Sequence, residues 1–162
     1  MKIREAVISY KRSAASVAFQ TPEGKVTNRI NSSRDVVALV RSIFDAEEFT
    51  ESAQERMVVV GLDAKNRPIA WNLVALGSAT ACYIDAGAIY RFAILAGCVG
   101  IVVAHNHPSG DPTPSAEDLL ITEKLRLGGE LLGVRLVDHV VLGGSESFSF
   151  VDSGLLYRGG GV

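Results

Sequence analysis

Two histidines that lie two residues apart are the first chemically distinctive feature of the sequence. The full pattern is His105-x-His107, seven residues, Ser115, two residues, Asp118. Side chains at alternate positions of a strand project to the same face, so both imidazoles reach one ion at about 2.0–2.1 Å. Two imidazole nitrogens and one carboxylate oxygen leave a fourth tetrahedral position for water. This set of residues therefore predicts a catalytic type of metal site.

Each part of this pattern also has an ordinary structural interpretation. Ser115 and Asp118, with Pro114 just before them, have the spacing of a capping box that begins a helix. Histidines at the end of a strand often face solvent. Asn106, between the two histidines, is expected to face the other way and to pin the loop that follows. Only the joint pattern favours a metal site over these alternatives.

The elements that must position these residues are a buried strand and the helix after it. The apolar run Ile101–Ala104 predicts a central strand that ends at His105. A loop rich in proline and glycine follows. A helix is predicted from Ser115 to about Leu132, with Gly133 as its stop. Its apolar side is expected to carry four leucines, Leu119, Leu120, Leu127 and Leu131.

The rest of the chain predicts further strands and helices around this unit. Cap residues at 31–33 precede an apolar helical pattern, and Asp85 is expected to cap a helix that ends at Gly97. The predicted strands are Met57–Asp63 and Ile69–Leu76, joined by a hairpin turn, then Val134–Leu142 and Phe148–Val151. Strands and helices in this order predict the α/β class, with a mixed sheet flanked by helices.

The residues from 105 to 118 read His-Asn-His-Pro-Ser-Gly-Asp-Pro-Thr-Pro-Ser-Ala-Glu-Asp. This wording resembles the zinc metalloprotease motif of the JAMM (JAB/MPN) family, in its RadC-like branch. The resemblance extends from about Ser32 to Gly154, and includes a strand that begins at Glu55 and an Asp-His strand at 136–141. It implies the JAB/MPN, cytidine-deaminase-like architecture. The expected organisation is an N-terminal arm or extra strands at 1–31, a RadC-like JAMM/MPN domain at 32–154 and a C-terminal tail at 155–162.

Carried over residue by residue, the resemblance implies that His105, His107 and Asp118 bind zinc. Ser115 would steady the developing oxyanion or the metal-bound water, and Glu55 would be the general base. The implied activity is zinc-dependent hydrolysis of peptide or isopeptide bonds in an unknown protein or peptide substrate. Without the resemblance, Glu55 would be interpreted as a solvated carboxylate at the start of a strand.

Two residues on the predicted Asp-His strand keep alternative interpretations. His139 could orient a metal ligand, or it could be a histidine whose hydrogen bonds are satisfied on a buried strand. The second, structural interpretation is favoured, and the same holds for Asp138 beside it.

Composition limits the function classes. The 162 residues are 48% hydrophobic and 21% charged, which predicts one ordered domain. Sixteen basic and eighteen acidic residues give a net charge of −2. The overall electrostatic field of the protein therefore does not favour binding of nucleic acid. Cys82 and Cys98 lack metal-site or disulfide spacing and are predicted to be buried in the core. The predicted compartment is reducing and cytoplasmic. No apolar stretch is long enough to span a membrane.

Two alternatives to a hydrolase stay open at this point. The RadC-like branch is associated with DNA repair and with proteins of mobile elements, which implies a protein that acts on or binds DNA. The net charge and the 7% of aromatic residues do not favour this hypothesis. The other alternative is a metal-stabilised scaffold that binds a partner without turnover.

Overall fold

A computed structural model describes residues 18–48, 53–76 and 85–157. Most of the predicted N-terminal arm (residues 1–17), the end of the predicted tail (158–162) and Cys82 lie outside these ranges. The helices are α1 (Ser33–Ala46), α2 (Ala86–Leu95) and α3 (Ala116–Leu132). The strands are β1 (Phe19–Gln20), β2 (Val26–Thr27), β3 (Arg56–Leu62), β4 (Pro68–Leu76), β5 (Gly100–Asn106), β6 (Arg135–Gly143) and β7 (Glu146–Ser149).

Five of the strands form one sheet in the order β4-β3-β5-β6-β7. The pair β5 and β6 is parallel, whereas the pairs β3–β4, β3–β5 and β6–β7 are antiparallel. The sheet is therefore mixed, as predicted. Every residue of β5 is buried, which is the environment expected for an apolar central strand. The strand that carries the two histidines thus lies in the middle of the sheet.

Helices cover both faces of this sheet. On one face α1 packs against side chains such as Val58, Val102 and Ala104. On the other face the core includes Met57 and Val103 together with residues of α2 and α3. Alternate residues of β3 and β5 therefore enter two different cores, as the two-residue period of a strand requires. This confirms the predicted fold class, an α/β fold with helices on both sides of a mixed sheet.

The helix boundaries follow the predicted caps. Ser32 caps α1 and forms a capping box with Asp35, while Asp85 caps α2 by accepting a hydrogen bond from the Gly87 N–H. The hairpin between β3 and β4 also forms as predicted. Cys98 is buried and is a free cysteine, in agreement with its predicted role as a small core residue. No helix in the described ranges is long and apolar enough to cross a membrane.

The predicted apolar side of α3 is wrong. Leu120, Leu127 and Leu131 are 63%, 50% and 86% exposed, and Leu119 is also exposed. The buried side of α3 consists instead of Asp118, Ile121, Thr122, Leu125 and Gly129. The leucine pattern gave the wrong side because α3 directs the polar side chains of Asp118 and Thr122 toward the sheet. Both side chains belong to the site described below.

Candidate metal centre

The end of β5 and the start of α3 bring three metal-binding side chains together. His105 Nε2 lies 3.0 Å from His107 Nε2 and 3.1 Å from Asp118 Oδ1. His107 Nε2 lies 3.4 Å from Asp118 Oδ2. One ligand atom from each of the three residues falls within 4.8 Å of the others. His105, His107 and Asp118, called the triad below, form a candidate metal site. They are the three residues that the sequence pattern predicts as ligands.

The loop between the histidines and α3 is held against the end of β6. The His107 N–H donates to the Leu142 carbonyl at 2.8 Å. At Gly143, an added Cβ would lie 2.5 Å from Pro112 N and 2.6 Å from Gly110 O, well inside contact distance. The loop backbone therefore needs glycine at position 143 in order to pack this closely. This contact brings the chain from His107 back to the first turn of α3.

Asp118 is both the N3 residue of the capping box of α3, whose N-cap is Ser115, and a member of the triad. Asp118 Oδ2 accepts hydrogen bonds from the Ser115 N–H at 2.8 Å and from the Ser115 hydroxyl at 2.7 Å. The Asp118 N–H donates back to Ser115 Oγ at 3.1 Å. The capping box and the metal site are therefore compatible, since the cap holds the carboxylate in place. The Ser115 hydroxyl proton points to Asp118, and an oxyanion role for Ser115 stays a prediction.

Hydrogen bonds define which nitrogen of His107 carries the proton. His107 Nδ1 lies 2.8 Å from the Asp111 carbonyl oxygen, which can only accept. Nδ1 must therefore hold the proton, and in the neutral ring Nε2 presents a lone pair toward the triad.

A buried chain of hydrogen bonds defines the proton position on His105 in the same way. The Thr122 hydroxyl lies 2.5 Å from the Asp118 carbonyl and therefore donates its single proton there. His139 Nδ1, 2.6 Å from the same hydroxyl oxygen, must then donate to it. This leaves His139 Nε2 as an acceptor, 3.0 Å from His105 Nδ1. His105 accordingly carries its proton on Nδ1 and turns the lone pair of Nε2 toward the triad.

Two imidazole lone pairs and a carboxylate thus converge on one point. Such an arrangement is repulsive unless a cation, either a metal ion or a proton, lies among the three groups. Burial raises the pKa of Asp118, but hydrogen bonds with His105 and His107 outweigh it and hold that pKa well below its usual range. The hydrogen bond with Asp118 raises the pKa of His107, although burial partly opposes this. The donor set fits a divalent cation.

Strand β6 carries Asp138 and His139, and His139 contacts the triad residue His105. Complete burial holds the pKa of His139 well below its usual value, so that its ring is neutral. His139 is fully satisfied by hydrogen bonds, as expected, and at the same time it contacts the ligand His105, which was the less favoured alternative. Burial raises the pKa of Asp138 to about 6, although the Ser149 hydroxyl and two backbone N–H groups donate to it. Asp138 contacts β7 and the following turn rather than the triad.

Glu55 lies beside the triad without belonging to it. It is half-buried and directly precedes β3, in which Met57 pairs with His105. Its charge is close enough to contribute to the raised pKa of His107. Glu55 therefore lies near the site, and the general-base role that the family resemblance implies for it stays a prediction.

Sequence reasoning missed Thr122 as part of the site. A threonine four residues after Asp118 is on the same face of α3, and this spacing is the signal that could have identified it.

The mixed sheet, with two histidines at the end of a central strand and an aspartate at the start of the next helix, is consistent with the JAB/MPN architecture that the resemblance implies. This architecture, together with the candidate metal site, fits a metal-dependent hydrolase. The family model described as "RadC-like JAB domain" matches residues 30–155. The chain belongs to this family.

Curated proteins of other organisms are similar to a large part of this chain. A "UPF0758 protein" of Methanosarcina acetivorans is 35% identical over 128 residues, which cover 79% of this chain and 54% of that protein. A "UPF0758 protein" of Thermotoga maritima is 44% identical over 110 residues, or 68% of this chain and 50% of that protein. The chain thus spans about half the length of the curated relatives it matches.

Proposed function

We propose that this protein is a zinc-dependent hydrolase of peptide or isopeptide bonds. The observation that carries the proposal is the convergence of the His105 and His107 lone pairs with the Asp118 carboxylate. Hydrogen bonds fix both ring tautomers so that the nitrogens facing the triad are free to bind a metal. A solvated histidine pair would not need such an arrangement.

The donor set favours zinc among the divalent cations. Two imidazole nitrogens and one carboxylate suit zinc, and three protein ligands leave a position open, as in catalytic zinc sites. When bound, zinc lowers the pKa of water from 15.7 to about 7 and polarises a carbonyl group.

The side chains of this protein supply the remaining chemistry. Glu55, at the edge of the site, accepts the proton of the attacking water and delivers it to the leaving amine. Ser115 holds the Asp118 carboxylate through two hydrogen bonds and, once rotated away, offers its hydroxyl to the developing oxyanion. His139 and Thr122 keep the His105 ring in its metal-binding tautomer.

Metal content of the purified protein tests the site. Mass spectrometry of wild type supplied with zinc is expected to give close to one zinc per chain, and His105→Ala and Asp118→Ala should lose it. Asp35→Ala is the matched control, because Asp35 occupies the same capping-box position in α1 and is also buried. It should destabilise its helix and keep the metal. If the Asp118 and Asp35 variants retain equal zinc, the proposed ligand set is wrong.

Hydrolysis is tested on two kinds of quenched-fluorescent substrate, a linear peptide library and branched peptides joined through a lysine ε-amine. Cleavage of one kind by the zinc-loaded wild type, lost in Glu55→Gln at unchanged zinc content, would support the proposal. Full zinc occupancy without cleavage of either kind would contradict the hydrolase and favour the scaffold hypothesis.

A further inference from the structure

The position of Glu55 relative to the metal ligands depends on how the chain is held beyond the last backbone pair of β3 with β5. The antiparallel ladder of β3 and β5 has Met57 opposite His105 as its last pair. Glu55 lies two residues beyond that pair. Beyond this pair the His107 N–H bonds to β6, the other neighbour of β5, at Leu142. Backbone pairing between β3 and β5 therefore ends before it reaches Glu55.

The side chain of Asn106 bridges this gap. Asn106 Oδ1 accepts a hydrogen bond from the Arg56 N–H at 2.7 Å, and Nδ2 donates to the Gln54 carbonyl at 3.3 Å. The amide thus holds the backbone on both sides of Glu55. Asn106 is only 3% exposed, so water does not compete freely for these two bonds.

An amide side chain is the group that suits both hydrogen bonds of this bridge. A side chain that donates to a carbonyl and accepts from an N–H at once reproduces what a neighbouring strand would offer. Aspartate would keep the acceptor for Arg56 but would place a second oxygen against the Gln54 carbonyl. Alanine would remove the hydrogen bonds of the Asn106 amide to both backbone groups.

We propose that Asn106 is a positioning residue that fixes Glu55 at the correct distance from the metal ligands. This inference rests on the proposed function, in which Glu55 is the general base. Asn106 lies between His105 and His107 in the chain, so one short segment sets both the metal ligands and the place of the base. A displacement of about 1 Å in a catalytic group can reduce a rate by about 100-fold, which makes such a bridge consequential.

The test compares Asn106→Ala and Asn106→Asp with wild type, with Asn72→Ala as control, since Asn72 is an exposed amide on β4. Hydrogen exchange of the Arg56 amide, followed by NMR, reports the bridge directly. We expect faster exchange by at least 10-fold in Asn106→Ala, near wild-type exchange in Asn106→Asp and in the control, and unchanged protection at Val59 within β3. If Asn106→Ala does not fold, rapid exchange at Arg56 in the folded Asn106→Asp would contradict the bridge.

The catalytic side is tested on the zinc-loaded proteins with the peptide substrates named above. In Asn106→Ala, kcat should fall by about 10–100-fold with KM and zinc affinity unchanged. A loss of zinc affinity would mean that Asn106 holds the ligands instead, which would overturn the proposal. Unchanged Arg56 exchange in Asn106→Ala would overturn it as well. If wild type cleaves nothing, the proposed function fails, while the exchange measurement still decides whether the bridge exists.

Discussion

Thr122→Val is the most informative perturbation of the buried hydrogen-bond chain below the triad. Valine has nearly the shape of threonine, so the change removes the hydroxyl without opening a cavity. His139 Nδ1 then loses its acceptor at 2.6 Å. A buried N–H without a partner costs about 1–3 kcal/mol, which favours moving the proton of His139 to Nε2.

This shift reaches the triad through one more hydrogen bond. With its proton on Nε2, His139 donates to His105 Nδ1, 3.0 Å away, and the proton of His105 must move to Nε2. That nitrogen then faces Asp118 as a donor and no longer as a metal ligand. Metal binding must reverse both transfers, so the same 1–3 kcal/mol should weaken zinc binding by about 10–100-fold.

Two measurements check this reasoning. Competition with a chelator of known affinity gives the dissociation constant for zinc, and long-range nitrogen–proton NMR identifies the protonated nitrogen of His105 in the metal-free protein. Thr122→Ser is the control, because it keeps the hydroxyl and should bind zinc nearly as wild type does. If Thr122→Val binds zinc as tightly as wild type while His105 keeps its proton on Nδ1, the derivation of the tautomers is refuted.

Three further predictions concern the loop, the Asp-His strand and the metal itself. Gly143→Ala should push the loop backbone away from β6, lowering the unfolding free energy by about 1–3 kcal/mol and weakening zinc binding, as denaturation and chelator competition would show. The pKa of Asp138 is raised to about 6, so the metal-free folded state keeps a proton that the unfolded state loses above about pH 4. Stability should therefore fall by about 3 kcal/mol as pH rises through 4 to 6, and urea unfolding of Asp138→Asn should lack this component. Zinc at 100 times its dissociation constant should stabilise wild type by about 2.7 kcal/mol in thermal unfolding, and His105→Ala by none.

Each of these three has a clear contrary result. Unchanged stability in Gly143→Ala would mean that the loop tolerates a Cβ at this position. An equal pH dependence in Asp138→Asn would assign the slope to other groups. A zinc-induced rise in His105→Ala would place the metal elsewhere in the protein.

The metal triad could be predicted because local sequence encodes it. A strand of apolar residues sets the direction of two alternate histidines, and a capping box sets the direction of Asp118. The same logic placed the helix caps and the β3–β4 hairpin. Such features depend on spacing within a single element or across one turn, and spacing is visible in the sequence.

Features that depend on contacts between distant segments were missed. Asn106 was expected to pin the loop after it, whereas its amide holds the backbone on both sides of Glu55, just before β3. The exposed leucines of α3 were expected to face the core, because a leucine pattern does not show that Asp118 and Thr122 must occupy that side. Gly143 gave no signal at all, since its role arises from the loop that lies against it.

The parallel pairing of β5 with β6 has a consequence for how the chemistry is divided along the chain. A parallel pair requires a crossover, and here the loop and α3 form it. All three triad residues lie within this one β5–loop–α3 unit, whereas Glu55 directly precedes the separate β3–β4 hairpin. In the proposed function, metal binding and proton transfer would therefore belong to two modules of the chain. Changes in the hairpin can alter or remove the proposed chemistry and leave an intact metal site behind.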